Sequence, residues 1–178
     1  MKVHVLEVHQ IQRILSELDS DQSAAPYDAF DQAWICLIKL GNLMTGKSEH
    51  DRLSALLDQM DEAVAAKLLK ESSIDDLINL EPPLDTVLSS PHERLDKDIV
   101  SQWIGEVRDE RGHATRESLL SLVEILKRIR NKRAHGLKTP DGPRDTEILS
   151  ASASITAVMV RLAAERLFQI HNQGEIPI

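Results

Sequence analysis

Over most of its length this chain places apolar residues three and four apart, a spacing that builds helices and excludes most alternatives. The clearest run is Leu119, Leu122, Val123, Leu126 and Ile129, a single stripe along one helix face. Comparable stripes run through Leu6, Ile11, Ile14, Leu15 and Leu18; through Phe30, Trp34, Leu37 and Ile38, with Gly41 beside them; through Leu53, Leu56, Leu57, Met60, Val64 and Leu68; and through Ile148, Ala151, Ile155, Val158, Met159 and Leu162. Aromatic residues make up only 3% of the chain, so the core must be built from Leu, Ile, Val and Ala, which suits helices better than a β-sandwich. Val3 and Val5 alternate with polar neighbours, and a short extended start there is the only strand-like signal.

Turn residues set the boundaries. The first stripe stops in the polar segment DSDQSAAP. A second helix is predicted from about Tyr27 to Thr45, followed by Gly46 and the polar cluster KSEHD, in which Ser48 is placed to cap the next helix. That third helix is predicted from Arg52 to Glu71, and SSIDDLINL supplies a short one begun by Ser72 or Ser73. The segment EPPLDTVLSSPHE contains Pro82, Pro83 and Pro91 and reads as a connecting loop. Further helices are expected from Asp96 to Glu110, from Thr115 to about Leu137 with Gly136 as terminator, and, after the turn KTPDGP, from about Arg144 to His171. The expected fold is all-α: one domain over residues 1–178, a bundle of about five to seven helices joined by short turns. A chain of 178 residues is long enough for one real core and short for two.

Several chemistries find no residues to carry them. The single cysteine, Cys36, sits among apolar neighbours, which points to a small core residue in a reducing, cytoplasmic setting rather than to a disulfide or a nucleophile. No apolar run is read as long enough to span a bilayer, and no membrane association is expected. His4 and His9 are five apart, off a common helix face, and there is no HExxH pattern or Cys/His cluster, so no metal is expected. Glycines occur singly rather than in a phosphate-cradling loop, and no cofactor is expected.

The charge distribution is uneven. The chain carries a formal −8, yet residues 127–144 hold seven Lys or Arg against one Asp, a local +6 that leaves −14 for the rest. The overall charge argues against nonspecific coating of nucleic acid; the patch permits a local phosphate contact. Its centre is KRIRNKRAHG, Lys127 to Gly136. At 100° per residue, Arg130 and Arg133 continue the apolar stripe, so an otherwise core-facing surface ends in two guanidinium groups, which need a carboxylate, a phosphate or several carbonyls. Asn131 and His135 stand four apart on a neighbouring face and can converge. Two readings remain open on these residues alone: cations complementing the end of a helix macrodipole, or a phosphate-handling constellation.

The pattern Arg130-Asn131, three residues, His135 resembles the Arg-Asn-x-x-x-His signature of the HEPN superfamily, small helical domains that are often metal-independent ribonucleases. The position of the motif late in a helical chain is similar too. A second Arg/His pair at the same spacing, Arg108 and His113 in RDERGH, has Asp109 where Asn is required and reads as a decoy. HEPN toxins paired with nucleotidyltransferase antitoxins carry a Tyr two residues after the His; here that position is Leu137.

The resemblance implies a metal-independent endoribonuclease, of the kind found among toxins and phage-defence effectors, with a composite site at a homodimer interface. In it Arg130, Asn131 and His135 would be catalytic: His135 in proton transfer, Arg130 as a permanent charge and forked donor for phosphate oxygens, Asn131 orienting the histidine or donating to phosphate. Lys127, Arg128, Lys132, Arg133 and Lys138 would hold the RNA backbone without base choice. Products would be a 2′,3′-cyclic phosphate and a 5′-hydroxyl. RNA, a second copy of the chain and an antitoxin or regulatory protein are the partners expected. The competing reading is a noncatalytic HEPN-like module that dimerises and binds nucleotides or protein; a bundle without any nucleic-acid role would leave His135 alone in solvent.

Overall fold

The computed structural model describes residues 5–20, 25–81, 83–84, 88, 94–109, 116–134 and 143–172. Among these there are eight helices and no strand: α1 (Val5–Asp19), α2 (Pro26–Gly41), α3 (Glu49–Leu57), α4 (Glu62–Leu69), α5 (Ser72–Ile78), α6 (Arg94–Asp109), α7 (Arg116–Ala134) and α8 (Pro143–Asn172). The fold is all-α, as the stripes require, with slightly more helices than the five to seven expected.

The extra helix has a local cause. The stretch predicted as one helix from Arg52 to Glu71 is broken at Asp58–Asp61, because Asp61 turns its side chain back onto the backbone N–H of Val64 at 3.0 Å and caps a new helix. The start of α3 follows the sequence more closely. Ser48 and Asp51 form a reciprocal capping box, with Asp51 N–H donating to Ser48 Oγ at 3.1 Å and Ser48 N–H to Asp51 Oδ2 at 3.0 Å. Hydrogen bonding to the carboxylate from the Ser48 side chain and from the Ser48 backbone N–H holds the Asp51 carboxyl below its ordinary range. Gly46 lets the turn before α3 close: a Cβ there would lie 2.9 Å from the backbone nitrogen of Arg52.

Two other expectations are revised. Val5 is helical rather than extended, and Val3 lies outside the described residues. Within the proline-containing segment, Leu84 and Leu88 have helical backbone and are buried, so this segment supplies two core residues.

The centre of the bundle is α8, which packs most extensively on α2 and also on α5, α1 and α4. Because neighbours surround it, burial extends beyond the expected stripe to Ser152, Thr156, Val160, Ala163, Ala164 and Leu167. Small residues let the other helices approach, and the buried Thr156 hydroxyl is satisfied by its own helix, donating to the Ser152 carbonyl at 2.7 Å. By length and composition α8 is also long and apolar enough to cross a bilayer, with a window of mean hydropathy 1.4, which corrects the expectation that no such run exists. Protein already covers 61% of that window, as a central core helix requires. A second packing unit pairs α6 with α7, and α3 and α4 touch α7 from the side. One continuous apolar cluster joins all of these helices, from Ile11 to Leu167.

Candidate functional site

Helix α7 has no glycine or proline between Arg116 and Ala134, and its stripe Leu119, Leu122, Val123, Leu126 and Ile129 is buried as expected, with Ile125 added. The stripe seats the helix on α6 and fixes its rotation. Arg130 and Asn131, just beyond Ile129, therefore have determined directions.

Arg130 continues the buried face and is itself half-buried. Its guanidinium carbon lies 5.7 Å from the ring centroid of Trp34 on α2, within cation–π range. Trp34 is 1% exposed and meets Phe30 edge-on, with ring centroids 6.4 Å apart and planes at 63°. Among the described residues no carboxylate pairs with Arg130 and no hydrogen bond engages its side chain. Asn131, one residue and 100° further round, is exposed. His135, the proton-transfer candidate, lies outside the described residues, so the structure does not place it against Arg130 or Asn131.

The candidate backbone-binding cations divide differently. Lys127 is drawn to Glu124 at 3.6 Å, and the same carboxylate oxygen lies 3.3 Å from Nδ1 of His50 at the start of α3. Arg128 donates from Nε to the backbone carbonyl of Leu88 at 3.3 Å, tying α7 to the proline-containing segment. Lys132 is half-buried and has a polar or charged partner of its own. The Arg133 backbone belongs to α7, whereas its side chain and Lys138 lie outside the described residues. Part of the basic run is thus engaged within the protein.

The decoy motif has a structural occupation. Arg108 on α6 donates from Nη2 to the Ile78 carbonyl at 3.3 Å, meeting an unsatisfied acceptor at the C-terminal end of α5; His113 lies outside the described residues. Cys36 is fully buried, its thiol points at the Ile14 carbonyl at 3.6 Å, and burial pushes its pKa up, which suits a core residue and not a nucleophile. No group of three His, Cys, Asp or Glu gathers as a metal-ligand set among the described residues.

Sequence reasoning missed two participants. Trp34 read only as a core aromatic, since nothing local joins residue 34 to residue 130. His50 stood in a polar cluster with no sign that it faces Glu124. The shared face of Glu124 and Lys127 is readable from their spacing of three; the approach of α3 is not. Comparison of the chain with family models, with curated proteins and with solved structures returns no match.

Proposed function

We propose that the chain is a HEPN-type, metal-independent endoribonuclease acting in the cytoplasm as a toxin or defence effector, with its site completed by a second copy. The observation that carries this reading is the state of Arg130. It sits at the end of the motif helix with an aromatic face beneath it and no carboxylate beside it among the described residues, next to a solvent-facing Asn131. An arginine committed to structure normally meets an anionic partner or several carbonyls; one that keeps its charge and donors is suited to a phosphate.

In the reaction the RNA 2′-oxygen attacks the adjacent phosphorus and the 5′-oxygen leaves, giving a 2′,3′-cyclic phosphate and a 5′-hydroxyl. Arg130 stabilises charge on the phosphorane oxygens. His135 transfers protons, and because one histidine is poorly placed to serve as acid and base in one step, the His135 of a second copy takes the other role. Asn131 orients the histidine or donates to a phosphate oxygen. An antitoxin or regulatory protein restrains the activity, and Leu137 makes a partner that modifies a tyrosine there a poor fit.

A second reading, a noncatalytic helical module that dimerises and binds nucleotides or protein, is favoured by a specific observation: Lys127 and Arg128 are engaged with Glu124 and the Leu88 carbonyl, which weakens the basic run as an RNA track. Cleavage of RNA by the purified protein in excess EDTA decides between them. Cleavage that His135→Ala and Arg130→Ala both abolish supports the nuclease; an inert wild-type protein that still dimerises supports the module.

A further inference from the structure

We infer that Trp34 is the positioning residue for Arg130, fixing the guanidinium through its indole face while leaving the N–H donors free for a phosphate; this rests on the ribonuclease reading above. A guanidinium has five N–H donors and no acceptor. A carboxylate that held it would occupy two of those donors and offset its charge. An aromatic face attracts the cation through the ring quadrupole and takes neither. The 5.7 Å separation between the Arg130 guanidinium carbon and the Trp34 ring is this arrangement.

Elsewhere the chain fixes arginines differently. Arg116 bonds Asp58 and Ser54, Arg161 bonds Asp19 at 2.7 Å, and Arg166 bonds the Gln59 carbonyl at 3.0 Å. Arg130, on the motif, has the ring instead.

The platform is rigid. Trp34 is 1% exposed, Phe30 braces it, and α2 makes the most extensive contact with the central helix. The choice of tryptophan also carries information. Its Nε1–H is buried with no hydrogen-bond partner among the described residues, an arrangement that packing alone disfavours, since phenylalanine would fill the core without an unmet donor. What indole adds is the strongest quadrupole of the aromatic side chains. The ring is held for its face.

The test keeps the indole shape nearly unchanged while weakening its quadrupole stepwise, and the Arg130→Met counterpart corrects for the added volume of fluorine. The chain has two tryptophans, so Trp103→Phe leaves Trp34 alone, and that protein is produced with tryptophan carrying one, two and three ring fluorines. RNA cleavage in EDTA is measured for each, and so is the difference in Tm between the Arg130 protein and its Arg130→Met counterpart. The expected result is a stepwise fall in kcat, reaching roughly three- to tenfold at the third fluorine, with KM changing less and the Tm difference closing in the same order. A purely structural tryptophan would show no such series. Cleavage and Tm difference that both ignore fluorination overturn the positioning role and leave the ribonuclease reading standing. A Tm difference that closes in a protein that never cleaves RNA keeps the stack and removes the nuclease, and the catalytic meaning of the stack with it.

Discussion

The two ends of α7 use arginine in opposite ways. At its start, Arg116 is about half exposed, with 47% of its side chain accessible, yet it is committed: Ser54 on α3 and Asp58 just beyond that helix take its donors. Near its end, Arg130 is half-buried and yet uncommitted among the described residues, resting on an aromatic face. Exposure is therefore a poor guide to which cation is available. What decides availability is whether the neighbour accepts hydrogen bonds, and a carboxylate does so where an indole face does not.

The largest effect should separate the two arginines in the proposed RNA cleavage. Removing a donor that stabilises transition-state charge costs about 10²–10³-fold in rate, so Arg130→Ala should lose at least about a hundredfold in RNA cleavage, whereas Arg116→Ala should cleave at close to the wild-type rate. Equal loss in both, measured in EDTA with folding checked by circular dichroism, would erase the distinction.

The stripe that aims both arginines comes next. Leu126 is fully buried, and Leu126→Ala should lower unfolding stability by about 2–5 kcal/mol in urea denaturation, with the m-value unchanged. A much smaller loss would mean that the packing does not fix the rotation of α7.

The turn that carries Asp58 depends on the cap at Asp61. Asp61→Ala should cost about 1 kcal/mol by the same measurement, and less than about 0.5 kcal/mol would mean that the break between α3 and α4 does not need it. Arg116→Ala should cost less still, under about 1 kcal/mol, with the difference shrinking in high salt, since both partners of the ion pair are about half exposed.

The smallest effect is with pH. The Lys39 hydrogen bond holds the Glu17 carboxyl below its ordinary range, and Ser48 does the same for Asp51. A depressed folded pKa gives stability that is fully present above the unfolded carboxylate range and is lost as pH falls through the folded value. Thermal unfolding should therefore show Tm declining on the acid side of that range, with a shallower decline in Ser48→Ala. An identical slope in that variant would remove Asp51 from the account.

Much of the fold was legible because it is local. Ser48 caps through a residue three positions on, and the stripes of α7 and α8 follow from a 3.6-residue period, so neighbours in sequence suffice to specify them. The break at Asp58–Asp61 was missed because the spacing of Leu57, Met60 and Val64 suits one continuous helix, and the competing hydrogen bond of Asp61 won. The burial of Leu84 and Leu88 was missed because three prolines outweighed a two-leucine signal. Of the candidate site, the inward direction of Arg130 was readable from the stripe; its landing on Trp34 was not, since 96 residues separate them.

By itself the sequence determined that the chain is helical, that Ser48 starts α3, and that Arg130 continues the core-facing stripe, because each depends on residues within one or two turns. Tertiary structure alone decided which cations are engaged and with what. Glu124 meets His50, Arg128 meets the Leu88 carbonyl and Arg130 meets Trp34 only when separate segments pack together. The strength and direction of a charge's interactions depend on what lies within a few ångströms of it in space, and periodicity along the chain carries none of that information.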